Sequence, residues 1–158
     1  VQFKRSNLEM TVTRALTESG LKPELLELEL TESILIQDTE SVLGTVHRLK
    51  ALGVKLSIDD FGTGYSSLSY LSRFAVEKLK IDQSFVRDMN NNPGNAAIVR
   101  AIIQMAKSLG LKTIAEGVED EQQLDQLRLH HCDEAQGYHL GKPVPADDFA
   151  RLLANSRI

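Results

Sequence analysis

Cysteine is almost missing from this chain. Cys132 stands alone, so no internal disulfide framework can form, and the sequence suits a reducing compartment. Long apolar runs are missing as well: none approaches the ~20 residues of a membrane helix. The opening stretch, VQFKRSN, lacks the apolar region of a signal peptide. The expected location is therefore cytoplasmic, with no membrane contact by this segment, although a longer parent protein could be anchored with this part on the cytoplasmic side. Excess positive charge is absent too. A net charge of -4 and a pI near 5.6 leave no electrostatic footprint for duplex nucleic acid or an anionic membrane, so a nucleotide would need a local site. No linker, low-complexity segment or sequence repeat interrupts the chain.

What is present reads as one globular domain. Apolar residues make up 42% and charged residues 25% of 158, enough for one core and too apolar for disorder. Ser6 and Glu9 have capping-box spacing, and Leu8, Val12 and Leu16 mark one face of a first helix that stops at Gly20. The alternation of Leu26 to Glu32 predicts a strand despite its glutamates. Asp38 can cap a second helix carrying Val42, Val46 and Leu49. A strand over Lys55 to Asp59 follows, then a short helix over about Ser67 to Phe74 and a strand over Lys78 to Asp82. The turn cluster Asn90 to Gly94 precedes a helix bearing Ile98, Ile102 and Met105. Thr113 to Val118 reads as a fourth strand, Asp120 with Gln123 as a capping box, Asp133 to Tyr138 as a weaker fifth strand, and Phe149, Leu152 and Leu153 as a last helix. Strands alternating with helices in this way demand an α/β fold with a parallel sheet and helices packed outside it.

The stretch KLSIDDFGTGY, Lys55 to Tyr65, runs an alternating strand into two adjacent aspartates. Neighbouring strand residues point to opposite faces, so Asp59 and Asp60 serve one site only if the strand ends between them and turns, which Gly62 and Gly64 allow. Two converging carboxylates form a hard-oxygen site of the kind that holds Mg²⁺ or Mn²⁺; a solvated turn after a strand is the other reading. Parallel strands covered on both faces are normally apolar runs. Here Glu27 and Glu29, Ser57 and Asp59, and Lys78, Lys80 and Asp82 each line one side of a strand. Early in the strands, internal ion pairs such as Glu27 with Lys55 or Lys78 account for this. At the strand ends, Glu29, Asp59, Asp60, Lys80, Glu116 and Gln136 fall on the edge where α/β folds build their sites. Several carboxylates there can hold two divalent ions for phosphodiester cleavage, and a lysine beside them could orient or deprotonate the attacking water.

Five segments, ELTES at Glu29 to Ser33, DDFGTGYSSLSYL at Asp59 to Leu71, KLKIDQSFV at Lys78 to Val86, AEGVE at Ala115 to Glu119 and QGY at Gln136 to Tyr138, resemble in order and spacing the signature of the EAL-domain family, the cyclic-di-GMP phosphodiesterases of bacterial signalling. The resemblance runs from Gln2-Phe3 to the last helix. It implies a TIM-like (β/α)8 barrel and metal-dependent opening of cyclic-di-GMP to linear pGpG with Mg²⁺ or Mn²⁺, two ions in the complete site. It also implies that Glu29, Asp59 and Asp60 ligate metal, that Lys80 and Glu116 hold and activate the attacking water, and that Gln136 and Glu119 complete the metal and water shell. Glu32 would brace the DDFGTGYSS loop, which in the family links the metal site to a homodimer contact made after Asp60. Sensory or GGDEF-type domains are expected in a longer parent. Ala75 and Leu140-Gly141 depart from the family pattern, away from the chemistry.

The Glu-Ala-Leu motif itself is not in the sequence, nor are the arginine and asparagine that accompany it in the family. At roughly 31 residues per unit of a ~250-residue barrel, the chain supplies about five βα units, an incomplete barrel truncated at its N-terminal side. The fragment alone is therefore expected to be inactive while its parent is the enzyme. A non-catalytic module that binds the dinucleotide or a partner protein is the alternative; another Mg²⁺-dependent barrel enzyme would leave the DDFGTGYSS match unexplained. His47 reads as a helix-surface residue, His130 and His131 as a helix end, Cys132 as a packed thiol, and His139 as a neighbour of the site.

Overall fold

A computed structural model describes residues 8–36, 39–64, 71 and 73–155. Its strands are β1 (Glu27–Thr31), β2 (Lys55–Phe61), β3 (Lys78–Ile81), β4 (Lys112–Ala115) and β5 (Glu134–Ala135). They form one parallel sheet in the order of the chain, and each return passes through helical segments, as parallel pairing requires. The helices are α1 (Leu8–Ser19), α2 (Thr39–Ala51), α3 (Gln83–Arg87), α4 (Pro93–Ser108), α5 (Glu121–Leu129) and α6 (Ala146–Asn155), with short 3-10 turns at Pro23–Leu25 and Glu32–Ile36. Among the described residues, β1 and β5 each have one strand neighbour, so the sheet is an open segment of the barrel architecture expected from the sequence.

Local chemistry sets the helix starts. Asn92 accepts hydrogen bonds from the amides of Gly94 and Asn95 ahead of Pro93 at the first turn of α4. Asp120 and Gln123 form a reciprocal capping box on α5. The expected caps Ser6 and Asp38, Gln2-Phe3, and most of the helix at 67–74 lie outside the described residues, although Leu71, Arg73 and Phe74 are helical. One side of the sheet is apolar: Leu30, Leu56, Ile58, Leu79 and Ile81 are fully buried and pack with Phe74, Val86, Val99 and Ile103. Burial of each such side chain is worth about 1.5–3 kcal/mol. Val12, Leu49 and Val54 make a smaller cluster where α1 meets α2.

The structure revises several boundaries. β3 stops at Ile81 because Asp82 turns to accept the Ser84 amide at 2.9 Å and caps α3, a helix that the sequence pattern does not predict. β4 ends at Ala115 rather than Val118, and β5 keeps two residues of the expected six. In the last helix Phe149, Leu152 and Leu153 are each more than half exposed, and Phe149 and Leu152 line a cleft with Ala135 of β5 and the loop that follows it. No described helix is long and apolar enough to cross a membrane.

Candidate active site

The opposite face of the sheet is polar and arranged in two levels. At the lower level Lys78 bridges Glu27 at 3.3 Å and Glu134 at 2.8 Å, so the ion pair expected between Glu27 and Lys78 forms, with Glu134 as a second partner. Burial opposes the Lys78 charge, but these two carboxylates outweigh it and raise its pKa. One step along the strands, at their C-terminal ends, the side chain of Lys80 is 8% exposed and its Nζ lies 2.7 Å from Glu29, 2.9 Å from Asp59 and 2.7 Å from Glu116. Burial again works against the charge, and hydrogen bonds to Glu116, Glu29 and Asp59 overcome it, leaving the Lys80 pKa well above the ordinary lysine value. Lys80 is thus a clamped ammonium that orients its neighbours and donates hydrogen bonds to three carboxylates.

The adjacent aspartates reach one face by a bulge. β2 pairs with β3 at Ile58 and again at Phe61, with the register shifting between them. Ile58 and Phe61 are both buried on the apolar side, so Asp59 and Asp60 fall together on the polar side. The strand does not end between them, contrary to expectation. The turn is made by Asp60 itself, at φ 56°, a left-handed conformation that aspartate tolerates better than most residues. Gly62, at φ 101°, continues it. Gly64 serves a different purpose, leaving room for a neighbour, since a Cβ there would lie 3.1 Å from the Glu32 carboxylate. Glu32, only 2% exposed, accepts hydrogen bonds from the amides of Gly62 at 3.0 Å and Gly64 at 3.1 Å, clasping the loop that follows Asp60. Residues 65–70, where the dimer contact is expected, lie outside the described residues.

Carboxylate oxygens of Asp59, Asp60 and Glu116 lie within 4.8 Å of one another. Partial burial, then the charges of Asp59 and Asp82, raise the Asp60 pKa. Around one ammonium stand the carboxylates of Glu29, Asp59, Asp60 and Glu116, a negative excess of hard oxygen donors that fits a divalent ion such as Mg²⁺ or Mn²⁺. Glu116 is carried there by its own amide, which donates to the Ile81 carbonyl at 3.1 Å, and Gln136 by an amide that donates to Ala115 at 2.8 Å. Both continue the sheet's pairing one step beyond the strands.

The structure separates the remaining candidates. Glu119 turns to Arg87, 3.0 Å away, and is not among the described carboxylates close enough to share an ion. Glu116, Glu119 and Gln136 instead line a cleft of about 380 Å³ with Gln83, Arg87 and Tyr138. Arg87 is not evident from sequence because it lies on α3, whose five residues carry no periodic signal. His139 pairs with Glu121 at 2.8 Å, His130 closes α5, and His47 is exposed. Cys132 donates to the Glu134 carbonyl at 3.3 Å, and burial pushes its thiol pKa up, which lowers the reactive thiolate fraction. Iodoacetamide at a pH of about 8, near the ordinary thiol pKa, should therefore label the native chain much more slowly than the chain in guanidinium; equal rates would contradict a packed thiol.

Residues 1–143 match the EAL domain model. The chain belongs to the EAL domain family. It is 48% identical over 141 residues to the cyclic di-GMP phosphodiesterase NbdA of Pseudomonas aeruginosa, covering 89% of this chain and 18% of that protein. The structure of the MucR phosphodiesterase in complex with c-di-GMP, also from Pseudomonas aeruginosa, superposes with a TM-score of 0.90 at 44% identity, over 94% of this chain and 60% of that one. The manganese and cy-diGMP complex of Klebsiella pneumoniae BlrP1 superposes at 0.78 and 32% identity, over 86% of this chain and 35% of that one. The EAL chain thus spans about a fifth of the length of the curated relatives it matches.

Proposed function

We propose that this EAL chain supplies the larger part of a metal-dependent phosphodiesterase site that opens cyclic-di-GMP to linear pGpG. The observation that carries this reading is the buried Lys80 ammonium held by Glu29, Asp59 and Glu116, with Asp60 beside them. Its relatives' activity and the dinucleotide in the MucR complex support the substrate. Asp59, Asp60 and Glu116, with Glu29 and Gln136 nearby, would hold Mg²⁺ or Mn²⁺, which when bound polarises the phosphoryl oxygen and acidifies water. Manganese in the BlrP1 complex supports this choice of ion. Lys80 fixes the carboxylates and presents positive charge where negative charge develops on the phosphate. Glu116 would accept the proton of the attacking water, and the Glu32 clasp keeps the bulge, and hence Asp60, in position. Dimerisation through the loop after Asp60 belongs to the same proposal. So does the company of sensory or diguanylate-cyclase domains, supported by MucR, which is bifunctional.

The test is product release by the full-length protein carrying these residues. With Mn²⁺ or Mg²⁺ it should convert cyclic-di-GMP to pGpG, lose activity in EDTA, and recover it when metal is returned. These 158 residues alone should release none, because the Glu-Ala-Leu segment is not among them. Tight binding without cleavage in Mn²⁺ would favour a non-catalytic sensor module; cleavage unaffected by EDTA would sink the metal role.

A further inference from the structure

Below the carboxylate cluster, the layer of Glu27, Lys78 and Glu134 is unlike an ordinary barrel interior, where such layers are filled by bulky branched apolar side chains. Lys78 stands on the middle strand β3 and, with its side chain 15% exposed, reaches past both neighbouring strands, to Glu27 on β1 at 3.3 Å and to Glu134 on β5 at 2.8 Å. Ser57, its register partner on β2, is fully buried and small enough to be passed over, and its hydroxyl has no partner among the described residues. Ion pairs taken out of water gain little over apolar side chains of similar volume. Fold stability therefore gives no reason for this layer.

Its consequence lies at β5. Lys80 pairs with carboxylates from β1, β2 and the end of β4, none of them from β5. β5 has only two residues, paired with Ile114 and Ala115 of β4. The flanking bonds run along that same edge, from the Thr113 amide to the Asp133 carboxylate at 2.8 Å and from the Gln136 amide to the Ala115 carbonyl at 2.8 Å. Among the described residues, the Lys78–Glu134 bridge is the ion pair that joins β5 to another strand. Glu134 and Gln136 are two residues apart on an extended backbone and so share one side of it; holding the first sets the height of the second.

We propose that Lys78, acting through Glu134, is a positioning residue that holds Gln136 against the carboxylates of Asp59, Asp60 and Glu116. This role rests on the metal-site reading above and deepens it. A layer that acted only by its charge would give the opposite result on losing the lysine. Glu27, Lys78 and Glu134 together carry one negative charge, so deleting the ammonium would strengthen the attraction for a divalent cation, whereas releasing β5 weakens the grip on it.

The experiment titrates Mn²⁺ into the substrate-free full-length protein, following free Mn²⁺ by electron paramagnetic resonance, with pGpG release and urea unfolding in EDTA measured on the same samples. Lys78→Met should weaken Mn²⁺ binding about tenfold, the usual cost of losing a group that orients a metal ligand, and should lower kcat more than it changes KM. Glu134→Gln, which keeps the side-chain shape, should act in the same direction. Lys78→Arg should keep most of the affinity, because a guanidinium can still bridge two carboxylates. Glu27→Gln should change it by less than about threefold, since β1 is tied a second time by Lys80 and Glu29. Added to Gln136→Ala, either Lys78→Met or Glu134→Gln should cost little further affinity, as groups acting through one residue are not additive. Mn²⁺ binding by Lys78→Met as tight as the wild type's or tighter, or losses that add in full to that of Gln136→Ala, would overturn the positioning role and leave the phosphodiesterase reading standing. Should Lys78→Met fail to fold, Glu134→Gln alone and combined with Gln136→Ala decides the matter. A wild type that neither binds Mn²⁺ nor cleaves cyclic-di-GMP would bring down both.

Discussion

Lys80→Met in the full-length protein is expected to lower pGpG release by at least about 100-fold and to destabilise the metal-free fold by about 3 kcal/mol. The substitution nearly preserves side-chain volume, so the loss is electrostatic. It removes an ammonium whose Nζ contacts Glu29, Asp59 and Glu116 within 2.9 Å and leaves those carboxylates facing one another and Asp60. Breaking a buried pair by deleting one partner costs about 3–5 kcal/mol; the lower end applies here because the Glu29 side chain is 50% exposed. Urea unfolding in EDTA measures the stability loss. Adding Mn²⁺ should recover part of it, since a divalent ion relieves the same repulsion, yet should not restore hydrolysis. A Lys80→Met protein as stable and as active as the wild type would show that the lysine is incidental.

Gly137→Ala is the second large effect, and its origin is steric. A Cβ at this position would lie 2.1 Å from the Val118 carbonyl oxygen and 2.3 Å from its nitrogen, all backbone that cannot swing aside. The same two stretches are joined on either side of Gly137, by the Val118 amide donating to Gln136 at 3.0 Å and the His139 amide donating to Val118 at 3.0 Å. Alanine must part them, which moves Gln136 and Glu116 relative to each other at the mouth of the site. The expected loss is about 3 kcal/mol or more, at the upper end for overpacking, together with most of the hydrolytic activity. Gly141→Ala, in the same loop but with nothing within 4 Å, should change stability by less than about 0.5 kcal/mol. If the two variants melt alike, the close approach of the two loops is not a feature of the folded protein.

Local patterning carried much of the architecture. The period-two runs expected over Leu26 to Glu32, Lys55 to Asp59 and Lys78 to Asp82 coincide with the strands Glu27–Thr31, Lys55–Phe61 and Lys78–Ile81 to within two residues at each end, and the capping box at Asp120 and Gln123 starts α5. These are legible because side-chain alternation and end-capping are decided by residues a few positions apart. For the same reason the polar stripe of Glu27, Glu29, Lys78 and Lys80 can be placed on one side of the sheet from the sequence alone. The short α3 and the two-residue β5 are not legible, since neither is long enough to show a period and both depend on what they pack against.

By itself, then, the sequence determined the succession of strands and helices, the apolar and polar faces of the sheet, and which carboxylates stand at the strand ends. Only the tertiary structure decided how they meet. The bulge after Ile58 brings Asp59 and Asp60 to one side because β3 holds Ile58 and Phe61 together on the other. Lys80 is a clamped cation because a carboxylate reaches it from β1, from β2 and from the end of β4. Glu119 stands apart from the carboxylates of Asp59, Asp60 and Glu116, paired with Arg87 from a helix invisible in the pattern. Each of these outcomes depends on contacts between residues distant in the chain, and no local propensity encodes them.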